Sequence, residues 1–129
     1  MIDDRIPEVN WVYNGVFIRA KDGDTVVLDI DQGFYNSIRL TTRLYGLNTP
    51  EIHGVPKDSA EYKAGKAAES YVLNWMEEAK GKVIVKSYDS KAVKTEKYGR
   101  WLVVIYRSTD PVSLNDALLK ASLAKHLTY

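Results

Sequence analysis

Two arginines, a pair of carboxylates on a turn and an isolated glutamate are the residues of this chain whose types suit chemistry at an anion. Asp22-Gly23-Asp24-Thr25 sets two carboxylates within three positions. Arg43 comes shortly before Asn48-Thr49-Pro50-Glu51, and Glu96-Lys97-Tyr98-Gly99-Arg100 closes a later polar loop. A phosphodiester gains charge as a nucleophile adds, and two guanidinium groups can clamp it in bidentate fashion and stabilise that charge. A hard cation on Asp24 can polarise a phosphate oxygen. A carboxylate such as Glu51 can orient or deprotonate a water. Each signal alone has a plainer explanation. Asp-Gly is an ordinary hairpin turn, a strand arginine is usually solvated, and Lys91, Lys94, Lys97 and Arg100 read as a solvated loop.

Composition narrows the chemistry. A chain of 129 residues is one domain, 1–129, with enough length for a core. It has no cysteine, so disulfides and thiolate metal sites are excluded. Any metal must rest on oxygen ligands or on the two histidines, which favours calcium or magnesium over zinc. A net charge of +1 does not announce a nucleic-acid binder, although a local basic patch remains open. The acidic start, Met1-Ile2-Asp3-Asp4-Arg5, has no apolar run behind it. The expectation is therefore no signal peptide and no membrane segment: a cytoplasmic protein, or a secreted one after signal removal.

The elements that must position these residues follow from their periodicity. Residues 1–12 show no period and are expected as an extended arm. Val16–Ala20 and Val26–Ile30 are β-rich runs around the Asp22-Gly23 turn. A third strand spans about Ser37–Tyr45, with Ile38, Leu40, Thr42 and Leu44 on one face and Arg39, Thr41, Arg43 and Tyr45 on the other. Residues 46–59 form a long loop. Ala64, Ala67, Ala68, Tyr71, Val72, Trp75, Met76 and Ala79 make the stripe of a helix that ends at Lys80-Gly81. Two more strands, Lys82–Tyr88 and Trp101–Tyr106, precede a second helix. That helix is capped by Ser113 with Asp116 and buries Leu114, Ala117, Leu118 and Ala121. The order predicts a mostly β, α+β domain: a small five-stranded barrel of the oligonucleotide/oligosaccharide-binding type with two helices. Trp11, Trp75 and Trp101 read as packing, with Trp101 pointing away from Arg100, and His53 as a solvated loop residue.

Taken in order, these segments resemble the staphylococcal nuclease (thermonuclease) family. The resemblance rests on Asp22-Gly23-Asp24-Thr25, on Arg43-Leu44-Tyr45-Gly46-Leu47-Asn48-Thr49-Pro50-Glu51, on Lys97-Tyr98-Gly99-Arg100, and on Asn115–Leu119 running to Leu123-Ala124-Lys125. It implies a calcium-dependent endonuclease acting on DNA and/or RNA, single strands favoured. It implies metal binding by Asp24, the Asn48 position and the Thr49 carbonyl, with Asp22 behind them. It implies Glu51 as general base, Arg43 and Arg100 on the scissile phosphate, and Lys97 and Tyr98 on a terminal phosphate.

Asn48 departs from the family, which has aspartate there. An asparagine carbonyl still binds a hard cation but brings no charge, so calcium binding is expected to be weaker, or another divalent cation to serve. Only His126-Leu127-Thr128-Tyr129 follows the matched segment, so the family's third C-terminal helix is not expected within these residues. Tyr129 is a candidate to stack on a base, against the plainer reading of a frayed residue. The N-terminal arm or a second subunit is left to cover the surface such a helix protects. Two alternatives stand beside the nuclease: a non-catalytic nucleic-acid-binding barrel weakened in metal binding by Asn48, and a protein-interaction module. A buried Glu51 between two arginines favours the nuclease.

Overall fold

The computed structural model describes residues 10–87 and 99–128. Its elements are β1 (Val12–Ala20), β2 (Thr25–Gly33), β3 (Asn36–Leu44), the short β4 (Leu47–Asn48), α1 (Ala60–Glu78), β5 (Lys82–Ser87), β6 (Trp101–Tyr106), α2 (Leu114–Lys120) and the short β7 (Lys125–His126). Five strands close a barrel in the order β1-β2-β3-β6-β5. Most pairs are antiparallel, but β3 and β6 run parallel, with Thr42 beside Trp101 and Arg43 beside Leu102. The expected mostly β barrel with two helices is therefore the observed fold.

Three local expectations change. β1 begins at Val12, inside the stretch expected as an arm, because Val12 to Val16 pair with β5. Those hydrogen bonds come from a distant strand and leave no mark on local periodicity. In α1 the buried positions are Gly65, Ala68, Val72, Trp75 and Met76, while Ala64 and Ala67 are exposed. The stripe is turned so that Gly65 meets the loop after β4. In α2, Asn115 is buried beside Leu114 and Leu118, while Ala121 is exposed.

The barrel interior is filled by Val26, Leu28 and Ile30 of β2, Leu44 of β3, Val83 and Val85 of β5, and Val103 and Ile105 of β6. Val72, Trp75 and Met76 of α1 and Leu114 and Leu118 of α2 join the same cluster. Burying each such side chain contributes roughly 1.5–3 kcal/mol before chain entropy is counted. Ser59 caps α1 by accepting from the Tyr62 N–H at 3.1 Å, and Ser113 caps α2 by accepting from the Asp116 N–H at 3.0 Å.

Asn115 joins α2 to the sheet. Its Oδ1 accepts from the Ile105 N–H at 3.2 Å, and its Nδ2 donates to the carbonyls of Tyr45 (3.0 Å) and Val103 (3.1 Å). β7 pairs with β4, and the Leu127 N–H donates to the Gly46 carbonyl, so the chain after α2 returns to the start of the loop that carries Asn48.

Candidate active site

The β1–β2 turn, the end of β3 and the start of β6 meet at one side of the barrel. Thr25 is the cross-strand neighbour of Arg43, and the Leu44 N–H donates to the Asp24 carbonyl at 2.9 Å. The parallel β3–β6 pairing then brings Arg100, just ahead of Trp101, to the same place. An open cleft of about 800 Å³ results, with Asp22, Asp24, Thr25, Arg43, Glu51 and Arg100 among its walls.

Asp24 is the hub. Its side chain is only 8% exposed and forms an ion pair with Arg43 Nη2 at 3.2 Å. Its Oδ2 accepts from the Thr49 N–H at 3.1 Å, and its Oδ1 accepts from the Thr25 hydroxyl at 3.2 Å. Arg100 Nη1 donates to the same Thr25 oxygen at 2.9 Å. The two arginines are thus fixed to adjacent residues, one by a carboxylate and the other by a hydroxyl. The turn motif by itself assigns Thr25 no role. Its position as the link between Arg100 and Asp24 depends on β6 arriving from 75 residues away.

Burial pushes the Asp24 carboxyl up to about 6, reinforced by the hydrogen bond it shares with Asp22 and by the Asp22 charge, and opposed by Arg43 and the Thr49 N–H. Two neighbouring carboxylates repel each other, and a cation between them relieves that repulsion. Among the described residues no group of three or more Asp, Glu, His or Cys side chains gathers to hold a metal. Asp22 and Asp24 fit a hard divalent cation to the extent of two carboxylates, and other positions fall to carbonyl oxygens, water or phosphate.

Asn48 is exposed, and its Oδ1 accepts a hydrogen bond from Arg43 Nη2, which also reaches the Leu47 carbonyl at 3.4 Å. Arg43 Nε is buried without a hydrogen-bond partner among the described residues. Such an unsatisfied group costs on the order of 1–3 kcal/mol, so its presence calls for a reason, and a binding site supplies one.

Glu51 is exposed on the cleft wall, which corrects the expectation that it is buried between the arginines. The loop passes over the surface here, and nothing covers its outer side among the described residues. His53 also lines the cleft, with Nε2 3.0 Å from the Lys21 carbonyl oxygen. Trp101 is 37% exposed and borders this cleft, but its pairing with Thr42 puts its side chain on the interior face, over a separate pocket with Ile38, Leu40, Thr42 and Val103, as alternation from Arg100 leads one to expect. Arg39 is a further wall residue without an assigned role. Its signal lay in the alternation that put it on the Arg43 face of β3. Lys97, Tyr98 and Tyr129 lie outside the described residues, as do Lys91 and Lys94.

Two glycines let α1 press on this site. A Cβ on Gly23 would stand 2.8 Å from Ala68 Cβ and 2.9 Å from Thr49 Cγ2. A Cβ on Gly65 would stand 2.7 Å from the Pro50 carbonyl oxygen. Gly23 is therefore required by close approach; its φ is not in the left-handed region expected of an Asp-Gly hairpin. The helix holds the turn and the Thr49–Ile52 segment against each other, which keeps the Thr49 N–H on Asp24.

Among the described residues no helix is long and apolar enough to cross a membrane. A family model described as "Staphylococcal nuclease homologue" matches residues 41–129. That span contains Arg43, Asn48, Thr49, Glu51 and Arg100 and begins after the turn that carries Asp22 and Asp24. The chain is also similar to an uncharacterized protein of Methanocaldococcus jannaschii, 30% identical over an alignment covering 88% of this chain and 58% of the relative. It therefore spans little more than half the length of that relative.

Proposed function

On the premise that this chain belongs to the staphylococcal nuclease family, we propose that it is a metal-dependent nuclease that hydrolyses phosphodiester bonds of DNA or RNA, single strands favoured. One observation carries the proposal: Arg43 and Arg100 converge on adjacent residues, Asp24 and Thr25, at one open cleft. A structural ion pair needs one arginine there. Two arginines beside an aspartate at an accessible surface suit an anionic group that binds between them.

In this proposal Arg43 and Arg100 hold the scissile phosphate and stabilise the charge it gains. Glu51, accessible to water on the cleft wall, takes the proton of the attacking water. Asp24 and Asp22, with the Thr49 carbonyl and Asn48 nearby, hold a calcium or other divalent cation, which when bound polarises the phosphate. Lys97 and Tyr98 contact a further phosphate and Tyr129 a base, as the family resemblance implies.

A non-catalytic nucleic-acid-binding barrel is the alternative, favoured by one feature: Asn48 brings no carboxylate and its oxygen is engaged by Arg43. Labelled single-stranded DNA, incubated with calcium, magnesium or manganese and with chelator, separates the two. Metal-dependent cleavage lost in Glu51→Ala and Arg100→Ala supports the nuclease. Binding without cleavage in every metal supports the alternative.

A further inference from the structure

The tip of the β2–β3 hairpin takes Gly33, Phe34 and Tyr35 through positive φ, at 80°, 56° and 58°. Two-residue hairpin turns of this hand favour Asn-Gly, because glycine and asparagine tolerate the left-handed region better than other residues. Phe34 and Tyr35 occupy it instead, and both are fully exposed. The tip therefore combines backbone strain with unburied aromatic surface. Gln32 and Ile38, on either side of the tip, border an open socket of about 360 Å³ in the barrel mouth, walled also by Tyr13, Leu40, Trp101 and Val103. Ile38 and Trp101 in that wall are 41% and 37% exposed. None of the residues lining the socket is charged, and the Thr42 hydroxyl there is engaged by the Val26 carbonyl at 2.9 Å.

A plainer account is available for each: the tip can be a solvated turn, and the socket a barrel end that the core does not fill. Neither explains why an exposed aromatic and an apolar hole of fitting size share one hairpin. A phenyl ring fits a cavity of roughly 150 Å³, so the socket has room for one. Phe34 does not enter its own socket: it is fully exposed, and Ile38 stands four positions on, roughly 13 Å along the hairpin. We infer that this face is the contact between two copies of the chain, each inserting Phe34 into the other's socket about a two-fold axis. Tip and socket on the same hairpin make the surface self-complementary, as such symmetry requires. Charge favours a second copy over a nucleic acid or an anionic lipid surface. The socket offers no cation to a phosphate, whereas two uncharged faces approach without repulsion. Two fully exposed aromatics with the exposed parts of Ile38 and Trp101 offer roughly 500–600 Å² per copy, which brings a pair to the lower end of specific interfaces. The dimer is therefore reversible, in the micromolar range, and independent of the nuclease proposal.

Sedimentation equilibrium of the full chain over a series of concentrations tests it. The wild type should pass from monomer to dimer as concentration rises, and Phe34→Asn combined with Tyr35→Gly should stay monomeric throughout. Because Asn-Gly suits the turn, that variant should melt at or above the wild-type temperature in dilute solution, where both are monomers, so lost association is not lost folding. Ile38→Glu, which sets a charge at an exposed position of the socket wall, should also stay monomeric. Photoreactive benzoylphenylalanine in place of Phe34 keeps an aromatic tip, and irradiation should yield a covalent dimer whose crosslinks map to the strands that wall the socket. A wild type that is monomeric at every concentration overturns the inference, and so does a dimer that survives the tip variant or a crosslink that maps elsewhere. A monomer that instead binds an apolar dye, lipid vesicles or single-stranded DNA in a manner lost with the tip or Ile38 variants assigns the face to another occupant and overturns it equally.

Discussion

Asp24→Asn should make the metal-free protein more stable at neutral pH while weakening its response to calcium. The wild-type carboxyl is raised from 3.8 to about 6, mainly by burial and then by Asp22. A shift of about two units corresponds to roughly 3 kcal/mol of unfavourable charging, at about 1.36 kcal/mol per unit. Because the folded carboxyl holds its proton more tightly than the unfolded one, its contribution is fully present below about pH 4 and is lost as pH rises through about 6. An asparagine carries no charge. Its oxygen can still accept from the Thr49 N–H and Arg43, and its amide can donate to the neighbouring Asp22. The charging cost is already net of the Arg43 ion pair and the Thr49 N–H; an amide fits the hydrogen bonds of the carboxyl less well, so a net gain of about 1–2 kcal/mol is expected at pH 7, or several degrees in melting temperature. Thermal unfolding in chelator from pH 4 to pH 7.5 measures it. The wild-type curve should fall relative to that of Asp24→Asn across this window, and calcium should raise the melting temperature of the wild type more than that of the variant. A variant less stable than wild type at pH 7 in chelator, or a difference that does not change with pH, would refute the placement of strain at Asp24.

Three further outcomes follow from the same contacts. Asn48→Asp sets a further carboxylate across Arg43 Nη2 from Asp24, and calcium affinity measured by calorimetry should tighten several-fold; unchanged affinity removes Asn48 from the metal's surroundings. Gly23→Ala drives a methyl into Ala68 and Thr49, and urea unfolding should show a loss of about 1–3 kcal/mol together with weaker calcium binding, since the Thr49 N–H moves off Asp24. Asn115→Ala leaves the Ile105 N–H and the Tyr45 and Val103 carbonyls without their partner, and should cost about 2–4 kcal/mol in the same assay.

The exposed hairpin tip shows where local sequence rules stop short. Phe34 and Tyr35 both adopt positive φ, at 56° and 58°, and both are fully exposed. Asn-Gly is the usual choice for such a turn. Residues 31–39 therefore carry no turn signature of the expected kind, although β2 and β3 still pair over Thr25 to Gly33, because the register is set by Val26, Leu28 and Ile30 facing the core.

The opposite faces of Thr42 and Arg43, the caps at Ser59 and Ser113, and the sequence of strands and helices were legible in the chain, because each depends on neighbours within a few residues. The chemical types needed at an anion were legible for the same reason: arginine, aspartate and glutamate carry their chemistry wherever they lie. The closure of the barrel decided the rest. Parallel pairing of β3 with β6 set Arg100 on Thr25, and the approach of α1 through Gly65 and Gly23 set Thr49 on Asp24. Burial beside Asp22 then moved the Asp24 carboxyl, the outer course of the loop left Glu51 in solvent, and the carbonyl of Asn48 came to rest on Arg43. All of these are consequences of distance and solvent exclusion, which exist only once residues far apart in sequence have met.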